Sequence, residues 1–368
     1  MRSTSLRALA ALGAGLALGI SSFSGAGAAA SCTASLAPGA AAPGDMLLAV
    51  AGAPGHAVAA GIHFDGGDGR PLVQRLDGAA WSQFPIPIHQ GAGTIQFQDA
   101  SVAAERVWAV GALRNDKPMA GWLQHDTWHW SAPVDPGGVE DEFLGVVALP
   151  DDTLWAVGKH REGADYQPLI ERFDGTAWTV VPSPPIGGSA VLKDIAATPD
   201  GSVWAVGWSV HAGGVTRPLI ERLIDGAWAV TPLRGTGLLS GIATLPAGGA
   251  IAVGWQQIPD GDRTLTMLLD HLDWSSAGAG DPGRLTAVAA GESVVAVGTR
   301  FDDTGLPQAL VVRWEDGWVP IDLGTSSIQP GGDQLTAITG EPGSFLAVGV
   351  GDTPESFGSL VVTGSCLG

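Results

Sequence analysis

Apolar residues in this sequence gather in short runs that end in glycine and return at a nearly constant spacing. The clearest run, Val-Trp-Ala-Val-Gly, spans residues 203–207. Six further runs share its pattern and occupy residues 57–61, 107–111, 154–158, 250–254, 294–298 and 345–349. The closing glycines lie 50, 47, 49, 47, 44 and 51 residues apart. Self-similarity at such a period indicates a repeat architecture.

The repeat around Gly207 shows which strands to expect. We predict its four strands at residues 192–199, 202–208, 218–223 and 227–231. Residues 209–217 are expected to form a loop, and Asp225-Gly226 is a hairpin-turn signal. Four antiparallel strands in one repeat, without helical periodicity, are typical of one blade of a β-propeller.

Seven such repeats predict an all-β fold, a seven-bladed β-propeller. The blades are expected at about residues 46–92, 93–140, 143–190, 191–237, 238–283, 284–333 and 334–366. The seventh unit lacks a fourth strand, and residues 32–37 form a spare strand before the first unit. We therefore expect the N-terminal strand to complete blade seven and close the ring, which leaves no open sheet edge at the junction.

Two cysteines, Cys32 and Cys366, lie at opposite ends of the predicted domain. In an oxidising compartment such a pair is expected to form a disulfide. The bond would replace the hairpin turn between the third strand of blade seven and the borrowed strand. The alternative is a lipoprotein with Cys32 as its lipidated first residue. Residues 29–31 lack the leucine that usually stands three positions before such a cysteine, so we favour the disulfide.

Residues 1–30 have the features of a signal peptide. Arg2 and Arg7 precede or flank the start of an apolar stretch at residues 9–20, and residues 26–30 offer small-residue cleavage sites. No second apolar stretch of about twenty residues follows, so no membrane span is expected. We therefore expect residues 31–368 to form a secreted or periplasmic monomer.

The charge of the chain argues against some classes of partner. The sequence has 37 Asp and Glu against 18 Lys and Arg, a formal net charge of −19. Nucleic acids and anionic membrane surfaces need clustered cations. We therefore expect neither, and expect a glycan or a protein at the cell surface instead.

The repeat resembles a kelch-type blade, in which an apolar second strand ends in glycine and a tryptophan follows. Here Gly158 is followed by Trp178, and Gly207 by Trp228. Kelch blades have a Gly-Gly doublet where this chain has one glycine. The chain is more similar to exported bacterial propellers with repeated Trp-Ala-Val-Gly units, which are kelch-like and Asp-box-like. The resemblance covers residues 32–366 and implies the propeller fold.

Charged and aromatic residues gather between the second and third strands of the repeats. The candidate ligand-binding residues are Lys159, His160, Arg161, Tyr166, Trp208, His211, Arg217, Trp255, Arg300 and Asp302. Aromatic faces stack on sugar rings, while Arg and Asp bond hydroxyl groups. Blade three departs most from the repeat, so Lys159, His160, Arg161 and Tyr166 are the first choice. The alternative is that these loops are polar only because they are solvated.

Metal and enzyme chemistry find little support in the sequence. Acidic loops at residues 65–68, 260–262 and 302–303 offer oxygens to calcium, but none has EF-hand spacing and turn chemistry explains them equally. We expect no other cofactor. The single tyrosine, Tyr166, excludes a galactose-oxidase-like copper centre. A sialidase-like pairing of Tyr166 with Glu162 or Glu171, beside Arg161, is permitted without being indicated.

The sequence thus favours an exported, non-catalytic binding module that presents its loop face to a glycan or protein. One alternative is a hydrolase or lyase acting on polysaccharide with carboxylates of the same face. Another is a structural surface propeller whose loops bind nothing.

Overall fold

The computed structural model describes residues 31–37, 42–88, 93–113, 117–198, 200–246, 248–270, 273–277, 280–323, 332–352 and 357–367. The predicted signal peptide, residues 1–30, lies outside these ranges. In the described part of the chain, no helix is long and apolar enough to cross a membrane.

Within the described ranges, 28 strands form seven four-stranded antiparallel sheets, which are the seven blades. Blade one contains β2 (Asp45–Ala53), β3 (His56–His63), β4 (Arg70–Asp77) and β5 (Ala80–Gln83). Blade two contains β6 (Ile95–Ala103), β7 (Arg106–Leu113), β8 (Lys117–Gln124) and β9 (Thr127–Ser131). Blade three contains β10 (Val139–Ala148), β11 (Leu154–Glu162), β12 (Asp165–Phe173) and β13 (Trp178–Val180). Blade four contains β14 (Ala190–Ala197), β15 (Val203–His211), β16 (Val215–Ile224) and β17 (Ala227–Thr231).

The remaining three blades follow the same order. Blade five contains β18 (Leu238–Thr244), β19 (Ala250–Ile258), β20 (Gly261–Asp270) and β21 (Asp273–Ser276). Blade six contains β22 (Arg284–Ala290), β23 (Val294–Phe301), β24 (Pro307–Trp314) and β25 (Trp318–Pro320). Blade seven contains β26 (Asp333–Glu341), β27 (Ser344–Asp352), β28 (Phe357–Leu367) and β1 (Ser31–Leu36). The predicted seven-bladed propeller is therefore confirmed.

Closure by the N-terminal strand is also confirmed. Strand β1 pairs antiparallel with β28 and forms the outer strand of blade seven. Cys32 lies directly opposite Cys366 in this pairing, and the two are joined by a disulfide across 334 positions of sequence. Inside the ring, Thr336 Oγ1 of blade seven donates a hydrogen bond of 2.8 Å to the carbonyl oxygen of Leu47 in blade one.

The glycine at the end of each apolar run is required for a steric reason. A Cβ atom at Gly207 would lie 2.0 Å from the carbonyl oxygen of Val191 on the neighbouring first strand. The other six closing glycines make the same close approach, at 1.9 to 2.0 Å. At this level the first strand carries a register shift, between Leu192 and Asp194 in blade four. The repeated glycine therefore marks a β-bulge in the innermost strand of every blade.

The apolar core lies between adjacent blades. Trp204 and Val206 of blade four pack with Leu239 and Ala252 of blade five, and every one of these side chains is buried. Trp178 of blade three contacts Phe143 of its own blade and Trp108 of blade two. Successive β-strand residues point to opposite faces, so each second strand contributes to two interfaces.

The predicted loops between second and third strands are mostly strand. In blade four, β15 continues to His211 and β16 begins at Val215, so the expected loop at residues 209–217 is wrong. Ser209 pairs with Arg217 and extends the ladder. In blade three, β11 and β12 likewise pair as far as Glu162 and Asp165. The candidate residues of blades three and four therefore belong to paired β-strands or to the short turn that joins them.

Candidate functional site

The hairpins between second and third strands lie on the same face of the propeller as the connections between blades, because the strands alternate in direction. We call this the rim face. Trp208 is half-buried, and His211, Arg217 and Arg300 are exposed. Trp255 stacks against Arg284, whose Cζ lies 4.4 Å from its ring centroid. Asp302 accepts hydrogen bonds from the backbone of Thr304 and Leu306 and closes its own turn. No described contact joins these residues into one site.

Blade three does bring its candidate residues together. Arg161 pairs directly with Tyr166 across the hairpin. Lys159 Nζ lies 4.7 Å, and Arg161 Cζ 5.8 Å, from the centroid of the Tyr166 ring. Glu140 joins them, with Oε1 2.5 Å from Arg161 Nη1 and Oε2 accepting a hydrogen bond from the Tyr166 hydroxyl. We call Glu140, Lys159, Arg161 and Tyr166 the rim cluster.

Glu140 has an unusual backbone. Its φ is +58°, a left-handed conformation that costs a non-glycine residue energy. The other described non-glycine residues with positive φ, namely Ala104, His125, Asp126, Asp152, Asp225 and Asp316, all stand in turns between strands. Glu140 alone stands inside a strand, β10, where the pairing with β11 shifts between Val139 and Glu142. This irregularity delivers its carboxylate to Arg161 and Tyr166.

A buried carboxylate holds this irregularity in place. Asp141 Oδ2 accepts a hydrogen bond of 3.0 Å from the backbone of Gly138, and Oδ1 accepts one of 3.3 Å from the backbone of Arg161. His160 Nδ1 lies 3.6 Å from the same Oδ1. Because side chains alternate along β11, His160 points away from the face that holds Lys159 and Arg161. His160 therefore lies next to the buried Asp141 carboxylate and outside the rim cluster, and its role in ligand binding stays a prediction.

The hydrogen bonds of the rim cluster stabilise the negative charge of Glu140. The hydrogen bond from Tyr166, followed by that from Arg161, lowers the pKa of Glu140. The same bond raises the pKa of Tyr166. The phenol therefore stays protonated at neutral pH. Neither Glu162 nor Glu171 is its partner, since Glu162 is exposed and buried Glu171 accepts the backbone N–H of Val134.

A further ion pair links the rim cluster to the centre of the propeller. Lys159 Nζ lies 3.0 Å from Glu142 Oε1, and these side chains are 21% and 11% exposed. Glu142 attracts the Lys193 ammonium group on β14, while Lys159 repels it. Lys193 lines a cavity of about 450 Å³ whose wall is made by the first strands of all seven blades. The charges of Lys159 and Glu142 are thus felt by Lys193 in the central channel.

The charged residues that line this cavity all occur at the β-bulge of a first strand. The bulge dipeptides, in blade order, are Leu48-Ala49, Gln98-Asp99, Leu144-Gly145, Lys193-Asp194, Ser240-Gly241, Thr286-Ala287 and Thr336-Ala337. Only blades two and four place charge there, and blade three between them contributes Gly145. We call Asp99, Lys193 and Asp194 the channel cluster.

Both carboxylates of the channel cluster bind the backbone of the next blade. Asp99 Oδ2 accepts a hydrogen bond of 2.7 Å from Val146, and Asp194 Oδ2 accepts one of 2.8 Å from Ile242. Burial, reinforced by the charge of Asp194, raises the pKa of Asp99 well above its usual value. Burial also raises the pKa of Asp194 to about 6 and lowers that of Lys193. Sequence reasoning missed this cluster because residues 192–197 match an ordinary first strand.

The acidic loops considered for calcium are engaged in other contacts. Asp65 lies 3.0 Å from Arg70, and Asp262 lies 2.6 Å from Arg284. Among the described residues, no group of three or more His, Cys, Asp or Glu side chains is arranged to hold a metal ion. Calcium binding stays a prediction.

Comparison with known proteins shows a similarity of fold only. No protein-family model and no curated protein matches the sequence. A solved structure of YCF48 bound to D1 peptide is similar over 90% of this chain and 94% of its own, with 14% identity and a TM-score of 0.55. A protein of unknown function from Dyadobacter fermentans DSM 18053 is similar over 90% and 97%, with 10% identity and a TM-score of 0.50.

Proposed function

We propose that the protein is an exported, non-catalytic binding module that holds a segment of a partner polypeptide at the rim cluster. The observation that carries the proposal is the backbone of Glu140. A left-handed glutamate inside a strand costs folding energy, and such strain is retained where it serves a site. Here it presents a carboxylate to a cation and a phenol at an accessible edge.

The chemistry of the cluster favours a polypeptide over a neutral glycan. Arg161 and Glu140 place opposite charges side by side, and their side chains remain 35% and 37% exposed. Both can exchange their mutual contact for charged groups of a ligand. Tyr166 adds an aromatic face. The peptide-bound state of the similar YCF48 structure agrees with this choice.

The protonation states of the cluster support binding rather than catalysis. A proton donor at neutral pH needs a raised carboxyl pKa, whereas that of Glu140 is lowered. A tyrosine nucleophile needs a lowered pKa, whereas that of Tyr166 is raised. These directions weigh against the polysaccharide hydrolase or lyase.

Export is the cellular setting that the disulfide supports. Disulfides form and persist in oxidising compartments, and Cys32 and Cys366 are bonded. We therefore place the binding partner in the periplasm or outside the cell, with the N-terminal residues 1–30 as the signal for export.

Peptide and glycan arrays probed with the same purified protein test the proposal. We expect peptides that carry both charges to bind, and Arg161→Ala with Tyr166→Phe to weaken that binding at least about tenfold, which is roughly 1.4 kcal/mol. Arg217→Ala is the matched control, because it removes an exposed arginine from the adjacent hairpin. Binding to glycans alone, or peptide binding that survives the double substitution, would contradict the proposal. No binding to either array would favour the structural alternative.

A further inference from the structure

A second group of charged and aromatic side chains lies on the rim face, between blades five and six. Arg284, at the start of β22, meets Trp255 of β19 and Phe301 of β23. Its Cζ lies 4.4 Å from the centroid of the Trp255 ring and 5.1 Å from that of the Phe301 ring. Arg284 Nε also donates a hydrogen bond of 2.6 Å to Asp262 Oδ2 on β20. We call Trp255, Asp262, Arg284 and Phe301 the arginine cluster.

These contacts hold the guanidinium group of Arg284 but leave part of it open. The side chain is 39% exposed, and within the described ranges its only hydrogen bond is the one that Nε donates. Both Nη groups therefore keep their N–H donors for a ligand. Because an ion pair and two neighbouring rings already restrict the side chain, little conformational entropy is lost when a ligand binds to it.

Phe301 supplies an apolar surface beside these donors. The residue is 45% exposed, and its backbone pairs with that of Pro307 in β24. Asp302 closes the turn that follows, because its Oδ1 accepts hydrogen bonds from the backbone of Thr304 and Leu306. An exposed aromatic ring on an ordered hairpin is suited to anchor a ligand, since its position is already fixed before binding.

The repeat shows that the fold does not require an arginine at this position. In each blade the corresponding residue pairs with the residue that follows the closing glycine, as Arg284 pairs with Thr299. In the other six blades these residues are Met46, Gln96, Glu142, Val191, Leu238 and Gln334. The same strand register therefore forms with apolar, amide and acidic side chains, so the fold alone does not explain the arginine of blade six.

The charge of the arginine cluster favours a neutral ligand. Asp262 pairs with Arg284, and because its side chain is only 10% exposed, the carboxylate stays beside the guanidinium group when a ligand binds. An anionic ligand would therefore approach a carboxylate together with the cation, on a chain whose formal net charge is −19. A neutral ligand that offers hydroxyl oxygens to the Nη groups avoids this repulsion.

We propose that the arginine cluster binds one neutral sugar residue of a glycan, at a second site on the rim face. A sugar ring has an apolar C–H face, which can stack on Phe301, and hydroxyl oxygens, which accept hydrogen bonds from the Nη groups of Arg284. Trp255 and Asp262 keep the guanidinium group in position. This site goes beyond the proposed peptide function and does not depend on it, since the rim cluster belongs to blade three.

An array that carries neutral and carboxylated oligosaccharides tests this proposal. The purified protein is expected to bind at least one neutral glycan, and Arg284→Gln and Phe301→Ala are each expected to weaken that binding at least about tenfold. Arg284→Lys should also weaken it, because an ammonium group does not reproduce the planar guanidinium group beside the two rings. Binding confined to carboxylated glycans, neutral-glycan binding that survives both substitutions, or no glycan binding at all would overturn the proposal.

Phe64→Ala is the matched control for Phe301→Ala. Phe64 stands at the same position of the repeat in blade one and is 37% exposed, but its blade has Met46 where blade six has Arg284. This variant should keep full glycan binding, and melting temperatures show whether each variant is folded. An equal loss of binding in Phe64→Ala would contradict the assignment to blades five and six. A peptide whose binding depends on Arg284 and Phe301 would overturn the choice of a glycan.

Discussion

The rim cluster and the channel cluster place charged side chains in opposite environments. At the rim, Glu140 meets Arg161 and Tyr166, and its pKa is lowered. In the channel, Asp194 is held by backbone N–H groups, yet burial raises its pKa to about 6. The rim environment therefore lowers the pKa of its carboxyl group, whereas burial in the channel raises the pKa of the carboxyl groups there. This difference is one reason why we assign recognition, which uses ionised side chains, to the rim cluster.

The two clusters also differ in how much of the ring they need. The rim cluster is built from β10, β11 and β12 of blade three. The channel cluster needs neighbouring blades, since Asp99 of blade two binds Val146 of blade three, and Asp194 of blade four binds Ile242 of blade five. Changes that open the ring should therefore disturb the channel before the rim.

The largest effect is expected from opening the ring at its covalent junction. Cys366→Ser removes the crosslink between β1 and β28, which closes a span of 334 positions. Chain entropy sets the loss of unfolding free energy at as much as about 6 kcal/mol. Thermal unfolding with and without reductant measures it. Cys32→Ser and the double variant should match Cys366→Ser, and a melting temperature unchanged by all three would show that the bond does not hold the ring closed.

Two buried glutamates are expected to have the next largest effect on the pH dependence of stability. They must be replaced by uncharged residues before the pH dependence of the two clusters is compared. Glu171 and Glu221 have no exposed surface, and burial raises the pKa of each to about 7. The folded protein binds these protons more tightly than the unfolded chain. Their stabilising contribution is therefore complete below pH 4.5 and is lost as the pH rises through 7, about 3 kcal/mol for each.

Glutamine at these positions should remove that pH dependence. Glu171→Gln retains an oxygen for the N–H of Val134, and Glu221→Gln retains one for the hydroxyl of Ser183. We expect both variants to be more stable than the parent protein at pH 8 and little changed at pH 4. Urea unfolding at the two pH values measures the difference, and a parent protein with equal stability at both would contradict the burial argument.

On that glutamine background, substitutions in the two clusters should have opposite pH signatures. The folded pKa of Asp194 is raised to about 6, so its contribution is present below its unfolded value and lost as the pH rises through 6. Asp194→Asn should therefore stabilise the protein at pH 8. The folded pKa of Glu140 is lowered, so its contribution is present at neutral pH and lost on acidification. Glu140→Gln should destabilise the protein at pH 7 and have no effect in strong acid. Unfolding titrations that give both variants the same sign would remove the distinction between the clusters.

The sequence predicts the ring well because the ring repeats. Each closing glycine, such as Gly207, is required by a carbonyl oxygen 2.0 Å from where its Cβ would stand. A steric demand that recurs in every blade leaves a periodic signal. The disulfide was predictable for a related reason, since a missing fourth strand in blade seven leaves β1 to complete it beside Cys366.

The candidate sites were harder to predict because they are departures from the repeat. The sequence shows a hairpin rich in charged and aromatic residues, with Lys159, Arg161 and Tyr166. Glu140 reaches them only because its backbone is left-handed, and a glutamate in the sequence does not predict that conformation. Lys193 and Asp194 lie within residues 192–197, whose sequence reads as an ordinary first strand and does not reveal the bulge. Comparison of the seven bulge dipeptides would have isolated them, but the position of the bulge is known only from strand pairing.

The most direct test of the account is hydrogen exchange of the protein with and without a peptide selected on the array. The account predicts added protection in the β11–β12 hairpin and at the start of β10, where Glu140 stands, with little change in the corresponding hairpins of blades five and six. Protection centred on another blade, or spread evenly around the rim face, would contradict the assignment of recognition to the rim cluster.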